Sequence, residues 1–90
     1  MEAITQSAIA NPSALTVNMP VLDRNDRGEA VRFLQQLLIC YGYLGNDGFD
    51  AIFGVKTEKA VKGFQIDSGL TADGVVAKDT WRALGSRCSL

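Results

Sequence analysis

The stretch Asp50–Gln65, DAIFGVKTEKAVKGFQ, decides the fold, because most of its pattern recurs further along the chain. The segment Asp73–Leu84, DGVVAKDTWRAL, repeats an Asp, a small residue, an apolar pair, a small residue, a Thr, an Ala and an apolar residue at an offset of 23. Two copies at one offset indicate a local structural device that is used twice. We interpret the device as a turn that delivers an apolar residue to the core and then enters a helix.

Such a turn leaves backbone amides open, and these need acceptors. We expect Asp50 and Asp73 to accept loop amides, and we expect Thr57 and Thr80 to bond the open groups of each first helical turn. Phe53 and Val76 are expected to enter the core, Phe53 as in a hydrophobic staple. The other residues of this structural motif are Asp26, Gly54, Phe64, Gly69, Gly74 and Trp81.

Helical spacing predicts a first helix with two apolar stripes. A capping box, with Asp26 at the N-cap and Glu29 at N3, is expected to start it, and Gly42 is expected to end it. Gln35 falls on the polar side of this pattern, where Ile39 intrudes. The stripes are Val31, Leu34, Leu38 and Tyr41, and beside them Ala30, Phe33, Leu37 and Cys40.

Two further helices are predicted, over about 55–68 and about 78–84, with Gly85 as the stop of the last one. The second helix should bury apolar residues, namely Val55, Ala60, Val61, Phe64 and Ile66. No run demands a strand. The sequence therefore predicts a small all-α domain, a three-helix bundle with a helix–loop–helix internal repeat.

The chain divides into three predicted parts. Residues 1–20 contain two prolines and no helical period, which is typical of a flexible leader or linker, although Leu15, Val17 and Met19 alternate with polar residues as an extended segment on an apolar surface would. Residues 21–85 form the predicted domain, and residues 86–90 form a C-terminal tail.

Composition narrows the function. The net charge of −1 and the mixed charge pattern argue against a nucleic-acid partner, and no apolar window is long enough for membrane insertion. No export signal is visible in this chain. Histidine, the commonest general base and metal ligand, is absent, and two cysteines cannot complete a zinc site. We therefore expect no cofactor, no metal and no enzyme activity.

Three sites that the repeat could suggest fit poorly. A glycosidase pair of Asp50 and Asp73 would need a cleft that raises one carboxyl pKa, and a small bundle offers little room for one. Thr57 as a nucleophile lacks an activating base. A calcium loop centred on Gly48 would place Gly54 where the EF-hand has Glu. The lysine stripe of the second helix, Lys56, Lys59 and Lys62, is interpreted as its solvated face, with an acidic ligand as the alternative.

Cys40 lies within the apolar pattern of the first helix and is expected to be a buried thiol. A disulfide with Cys88 is the alternative, and it would need the tail to fold back in an oxidising compartment.

The ordered series of motifs resembles the peptidoglycan-binding domain family. It runs DxGxxVxxLQxxLxxYGY from Asp26, DAIFGxxTxxAVxxFQ from Asp50, GLxxDGVV from Gly69 and TWxxL from Thr80, so the resemblance covers about 21–84. It implies a non-catalytic three-helix module that binds peptidoglycan and anchors a wall-active enzyme, such as an amidase, in the periplasm or cell wall. The same fold occurs in matrix metalloprotease propeptides, whose cysteine segment the sequence around Cys88 resembles only faintly.

The sequence departs from the family pattern at two glycines, which are Ala51 and Ala77 here. An alanine is strained at such a place only if its φ is positive, at a cost of about 1 kcal/mol. Loop residues beside the turns are the expected contacts for glycan or stem peptide, with Tyr43 stacking on a sugar. These candidate ligand-binding residues are Tyr43, Asn46, Asp47, Gln65, Asp67 and Asp73.

The alternative function is a protein-interaction or regulatory domain that keeps the fold without polymer binding. It is motivated by extra apolar surface on the first helix, at Phe33 and Ile39, which would support weak self-association unless the segment at Leu15, Val17 and Met19 covers it.

Overall fold

A computed structural model describes residues 19–87 and shows three helices joined by turns in that part of the chain. Helix α1 spans Glu29–Cys40, α2 spans Val55–Asp67 and α3 spans Lys78–Arg87, with one 3₁₀ turn at Asn46–Gly48. The predicted all-α three-helix bundle is confirmed. The leader up to residue 18, with Leu15 and Val17, and the tail from residue 88 lie outside the described residues.

The core draws on all three helices and on both repeated turns. Phe53 and Val76, the apolar residues that the turns deliver, are completely buried, as the repeat predicted. Trp81 of α3 is buried with them, and its Nε1 donates to the carbonyl oxygen of Pro20 at 2.8 Å. Met19 also packs against the core. The segment that precedes α1 is therefore held against α3 by this hydrogen bond.

The segment before α1 pairs with both repeated turns through isolated antiparallel bridges. Leu22 exchanges two backbone hydrogen bonds with Val76, at 3.0 and 2.8 Å. A second bridge joins Arg27 to Ile52. One stretch of chain thus holds the two turns side by side, which positions the candidate site.

The predicted capping box at the start of α1 is wrong. The N-cap residue is Gly28, with a φ of 119° and no side-chain cap, and Asp26 Oδ2 instead accepts the amide of Asp23 at 2.9 Å. The physical reason is tertiary, because the Gly28 amide donates to the carbonyl of Ala51 at 3.0 Å. Pairing with the first turn leads the chain into the helix without a side-chain cap.

The face that α1 buries differs from the predicted one at two positions. Gln35 was expected on the polar side and is completely buried, whereas Cys40 was expected in the core and is exposed. Ile39 packs partly against the core instead. Phe33 is 37% exposed, and its ring stacks on Trp81 with centroids 6.1 Å apart. Burial of one polar residue therefore accompanies the exposure of the thiol.

The other two helices also correct the sequence reading. Val55 and Ile66 were expected to be buried and are 53% and 66% exposed. Gly85 was expected to stop α3, but it is buried within the helix, which continues to Arg87. The added turn brings Arg87 over the aromatic rings at the end of α1 and in α2, which stabilises it. No helix within residues 19–87 is long and apolar enough to cross a membrane.

Candidate functional site

A buried glutamine organises the first repeated turn. The Gln35 Nε2 group donates to Asp50 Oδ1, to the carbonyl of Ile52 and to Thr57 Oγ1, each at 3.0 Å. Its Oε1 accepts the amides of Asp50 and Ala51 at 3.1 and 2.8 Å. A single side chain of α1 therefore provides hydrogen-bond partners for both the backbone amides and a backbone carbonyl of the turn.

Gln65 of α2 does the same for the second turn. Its Nε2 donates to Asp73 Oδ1 at 3.2 Å and to the Val75 carbonyl and Thr80 Oγ1 at 3.0 Å, and its Oε1 accepts the Gly74 amide at 3.0 Å. We call each glutamine with its turn partners a glutamine hub. The sequence identified the repeat of the turns but missed the glutamine that organises each of them.

The aspartates act as the repeat predicted, and the threonines do not. Asp50 Oδ1 accepts the amide of Ile52, and Asp73 Oδ1 accepts the amide of Val75, both at 3.0 Å. Thr57 and Thr80 were expected to bond the first helical turn. They are buried and accept the glutamine amides instead, because the hub places those donors within reach.

The pKa of Asp50 is lowered by the backbone hydrogen bond from Ile52 and then by the side chain of Gln35. A catalytic acid needs the opposite shift, since it must hold a proton near neutral pH. The hub therefore keeps Asp50 anionic and suited to accepting hydrogen bonds.

The two alanines at family glycine positions differ. Ala51 has a φ of 63°, in the left-handed region, where the equivalent residue of the second turn is Gly74 with a φ of 75°. Ala77 does not have a positive φ. Ala51 is therefore the strained substitution, at a cost of about 1 kcal/mol, and Ala77 is not.

A cleft opens beside each hub, about 160 Å³ in volume at the first and about 290 Å³ at the second. They are lined by matching positions of the repeat, since Asp50, Ile52, Gly54, Val55, Lys56 and Thr57 correspond to Asp73, Val75, Ala77, Lys78, Asp79 and Thr80. The clefts differ in charge at two of these positions, where Val55 and Lys56 of the first are replaced by Lys78 and Asp79 in the second. From the sequence we expected a bundle of this size to leave little room for a cleft. The structure nevertheless has a solvent-open cleft beside each of the two turns.

A third concave surface, the Tyr43 groove, lies between the loop after α1 and the outer face of α2. It measures about 280 Å³ and includes Tyr43, Asp47, Lys56 and Lys59. Lys56 Nζ donates to Asp47 Oδ2 at 2.6 Å, which lowers the pKa of Asp47 and raises that of Lys56. Two of the three residues of the lysine stripe therefore border a groove, with one of them already paired.

Tyr43 is anchored at the edge of this groove. Its hydroxyl donates to Asp67 Oδ2 at 2.7 Å, and its ring meets the edge of Phe64 with centroids 5.6 Å apart. The guanidinium carbon of Arg87 lies 5.5 Å from the Tyr43 ring centroid. A sugar that stacks on Tyr43 would share the ring with this cation.

The predicted ligand-binding residues fall into three places. Tyr43 and Asp67 are hydrogen-bonded to each other, and Asp47 shares the groove with Tyr43. Gln65 and Asp73 belong to the second hub and line its cleft, where Gln65 is buried. Asn46 lies elsewhere, in an apolar depression with Ile39, Cys40 and Phe49. The candidates therefore do not converge on one pocket.

The contact of Arg87 with the rings of Tyr43 and Phe64 was not predicted from the sequence, because Arg87 was assigned to the tail beyond a helix stop at Gly85. The basic residue in the last turn of α3 was the available signal. Within residues 19–87, no cluster of three cysteine or carboxylate side chains is arranged to hold a metal ion.

Comparisons with known proteins agree with this architecture. The chain is 40% identical over 88 residues to an uncharacterized protein in the bpoA1 3′ region of Kitasatospora aureofaciens, covering 92% of the chain and 74% of that protein. It is 42% identical over 59 residues to the N-acetylmuramoyl-L-alanine amidase CwlL of Bacillus licheniformis, which covers 60% of the chain and 16% of the amidase. The chain thus corresponds to a small part of that enzyme.

A crystal structure of a peptidoglycan-binding protein from Clostridioides difficile, in complex with glutamine hydroxamate, superimposes with a TM-score of 0.73 at 35% identity. The match covers 79% of the chain but 44% of that protein. The family model of the peptidoglycan binding domain matches residues 27–84, which include both repeated turns and all but the last turn of α3. The chain belongs to the peptidoglycan-binding domain family.

Proposed function

We propose that the chain is a non-catalytic module that binds peptidoglycan and holds an associated wall-active enzyme on the polymer. The family match across residues 27–84 carries the proposal. The similarity to part of an N-acetylmuramoyl-L-alanine amidase supports the anchoring role, since the matched region is 16% of that protein. The place of action would be the periplasm or the cell wall.

We assign the polymer to two of the concave surfaces described above. The cleft of the second hub presents Asp73 and Asp79 beside the backbone of the turn, and these groups suit the amides and hydroxyls of a sugar–peptide polymer. The Tyr43 groove adds an aromatic ring and the ammonium of Lys59. Gln65 contributes by shaping the cleft, because its amide is already engaged with the turn.

The proposal that the module is non-catalytic rests on the electrostatics of the first turn. Asp50 has a lowered pKa, so it is a poor proton donor near neutral pH. The same carboxylate is tied to Ile52 and Gln35, which leaves it little freedom to act on a substrate. Labelled peptidoglycan incubated with the chain should therefore release no fragments.

Binding is tested by pull-down on purified sacculi and by a chemical-shift titration with a muropeptide. We expect the folded chain to sediment with sacculi at low salt, and we expect shifts at Tyr43, Asp47 and the amides of 73–80. Lys59→Ala should weaken binding, whereas Lys62→Ala, one turn away on α2 and outside the groove, serves as its matched control. A folded chain that stays wholly in the supernatant would refute the proposal.

A protein-interaction role is the second candidate, and one surface favours it. An apolar depression of about 360 Å³ lies between α1 and the 3₁₀ turn, and Ile39 and Phe49 both line it. Phe33 contributes less than the sequence suggested, because Trp81 covers part of its ring. Sedimentation of the full chain and of an Ile39→Gln variant tests self-association through this surface, and two identical monomers would exclude it.

A further inference from the structure

The last turn of α3 places a guanidinium against three aromatic rings. The Cζ atom of Arg87 lies 5.0 Å from the ring centroid of Phe64, 5.5 Å from that of Tyr43 and 5.9 Å from that of Tyr41. The rings support one another, since Tyr41 stacks on Phe64 at 6.3 Å and Tyr43 meets Phe64 edge-on at 5.6 Å. We call these four residues the Arg87 platform.

A guanidinium held on aromatic faces has its N–H groups in a fixed plane, ready for a planar anion. The side chain loses less freedom on binding when it is held in place beforehand. The salt bridges within residues 19–87 engage Arg24, Arg32 and Arg82, and they do not include Arg87. Within residues 19–87, Arg87 therefore has no carboxylate partner that would neutralise its charge, and the residue is exposed.

The platform adjoins the proposed ligand surface. Tyr43 belongs to both, because its ring lies under Arg87 and also lines the groove with Lys59. Its hydroxyl is held by Asp67, which fixes the ring beneath the cation. A ligand in the groove would thus meet a planar cation at one end.

We propose that Arg87 is a carboxylate-binding residue that selects ligands with a free carboxylate beside the Tyr43 groove. The inference rests on the proposed function for the identity of the polymer and names which of its groups is recognised. A free carboxylate can come from the end of a stem peptide or from the lactyl group of a glycan that lacks its peptide. Arginine binds either one bidentately, as lysine cannot.

Calorimetric titration of the full chain tests this with three ligands. These are a disaccharide-tetrapeptide with its internal carboxylates amidated and its terminal carboxylate free, the same compound with the terminal carboxylate amidated as well, and a glycan oligomer without peptides. We expect the free acid to bind roughly tenfold more tightly than the amide, as for a charge-assisted bidentate contact. Tighter binding of the peptide-free glycan than of the amide would assign the contact to the lactyl carboxylate.

Two variants and a matched control complete the test. Arg87→Gln should reduce the preference to less than about twofold, and Arg87→Lys should keep only part of it because the fork is lost. Arg32→Gln is the control, since Arg32 also lies over a ring, that of Phe49 at 5.4 Å, but is paired with Glu29. It should keep the full preference. Arg87→Lys gives the answer if the glutamine variant fails to fold.

Equal affinity of the wild-type chain for all three ligands would overturn the proposal, as would an Arg87→Gln variant that keeps the preference. A separate titration with acetyl-D-alanyl-D-alanine and its amide monitors the Arg87 Nε–H resonance without any glycan. A shift with the acid alone, in a chain that does not bind sacculi, would refute the proposed function but support the carboxylate site. Retention on sacculi without this shift would refute the carboxylate site alone.

Discussion

Gln35 and Gln65 occupy equivalent places in the two halves of the repeat, one reaching from α1 to the first turn and the other from α2 to the second. Each Nε2 donates to an aspartate, a backbone carbonyl and a threonine, at 3.0 to 3.2 Å. Each Oε1 accepts an amide of the turn. The repeat is therefore a repeat of hydrogen-bonded hubs as well as of sequence.

Removing one hub should destabilise the domain. Gln35→Ala is expected to lower the free energy of unfolding by about 2–4 kcal/mol, because it opens a cavity and leaves the amides of Asp50 and Ala51 without their acceptor. Urea unfolding followed by circular dichroism measures the change. Gln36→Ala, at the exposed neighbouring position, should stay within about 0.5 kcal/mol of the wild type. If both substitutions changed the free energy of unfolding equally, the hydrogen bonds of Gln35 would not stabilise the domain as we infer.

Relief of backbone strain should stabilise the first turn. Ala51→Gly is expected to raise the free energy of unfolding by about 1 kcal/mol, since Ala51 has a φ of 63°. Ala77→Gly should instead lower it by up to about 1 kcal/mol, because glycine adds freedom to the unfolded chain where φ is not positive. Thermal unfolding of both variants would show shifts of opposite sign. A stabilising Ala77→Gly would argue against this account.

Trp81 should be indispensable for folding. Trp81→Ala is expected to cost about 3–5 kcal/mol, which is most of the reserve of a small domain, and circular dichroism should show an unfolded chain. Trp81→Phe keeps much of the volume but loses the hydrogen bond to Pro20, so it should fold with reduced stability. A phenylalanine variant as stable as the wild type would show that this bond contributes little.

The free energy of unfolding should decrease at low pH, because Asp50 in the first turn becomes protonated. The pKa of Asp50 is lower in the folded chain, so ionised Asp50 stabilises the fold above its unfolded pKa of about 3.9, and this contribution is lost as the pH falls through the folded pKa. Urea unfolding between pH 2 and pH 7 should therefore show a loss below about pH 4. Asp50→Asn should flatten this dependence, because its amide oxygen still accepts from Ile52 without titrating.

High salt should distinguish the stabilising contribution of Asp50 from that of the exposed ion pair between Asp47 and Lys56. The lowered pKa of Asp47 comes first from its hydrogen bond to Lys56 and then from the charge of Lys56, and both groups are exposed. High salt should therefore weaken the contribution of Asp47 and leave that of Asp50, which comes mainly from hydrogen bonds, largely unchanged. A pH profile of Asp50→Asn identical to that of the wild type would refute the assignment.

The thiol of α1 should react in the folded state. Cys40 is exposed, so a maleimide should label it in native Cys88→Ser protein at a rate close to that in urea. Mass spectrometry follows the labelling. Protection by an order of magnitude or more would restore the expectation of a buried thiol.

Local relationships were the ones that the sequence could predict. The bonds from the amides of Ile52 and Val75 to Asp50 and Asp73 span two positions, so the repeat was enough to anticipate them. The three helices followed from spacing in the same way. The family also followed from the sequence, since the order of turns and helices is specific even where each motif is not.

Long-range relationships were not predictable. The partners of Gln35 lie 15 to 22 positions away, and a glutamine in a helical pattern is usually exposed. The same difficulty hid the contact between Arg87 and the rings of Tyr43 and Phe64, which requires that α3 continue past a glycine. The candidate ligand-binding residues stay a prediction, and only the tertiary structure showed that they are divided among separate surfaces.

The sequence by itself determined the three helices, the repeated turns and the membership of the peptidoglycan-binding domain family. Only the tertiary structure decided which side of α1 faces inward, so that Gln35 is buried and Cys40 exposed. The physical reason is that apolar residues cover about half of this helix, so hydrophobic spacing leaves its rotation open. The rotation is settled by the turn amides and carbonyls, which find their hydrogen-bond partners only when Gln35 points inward.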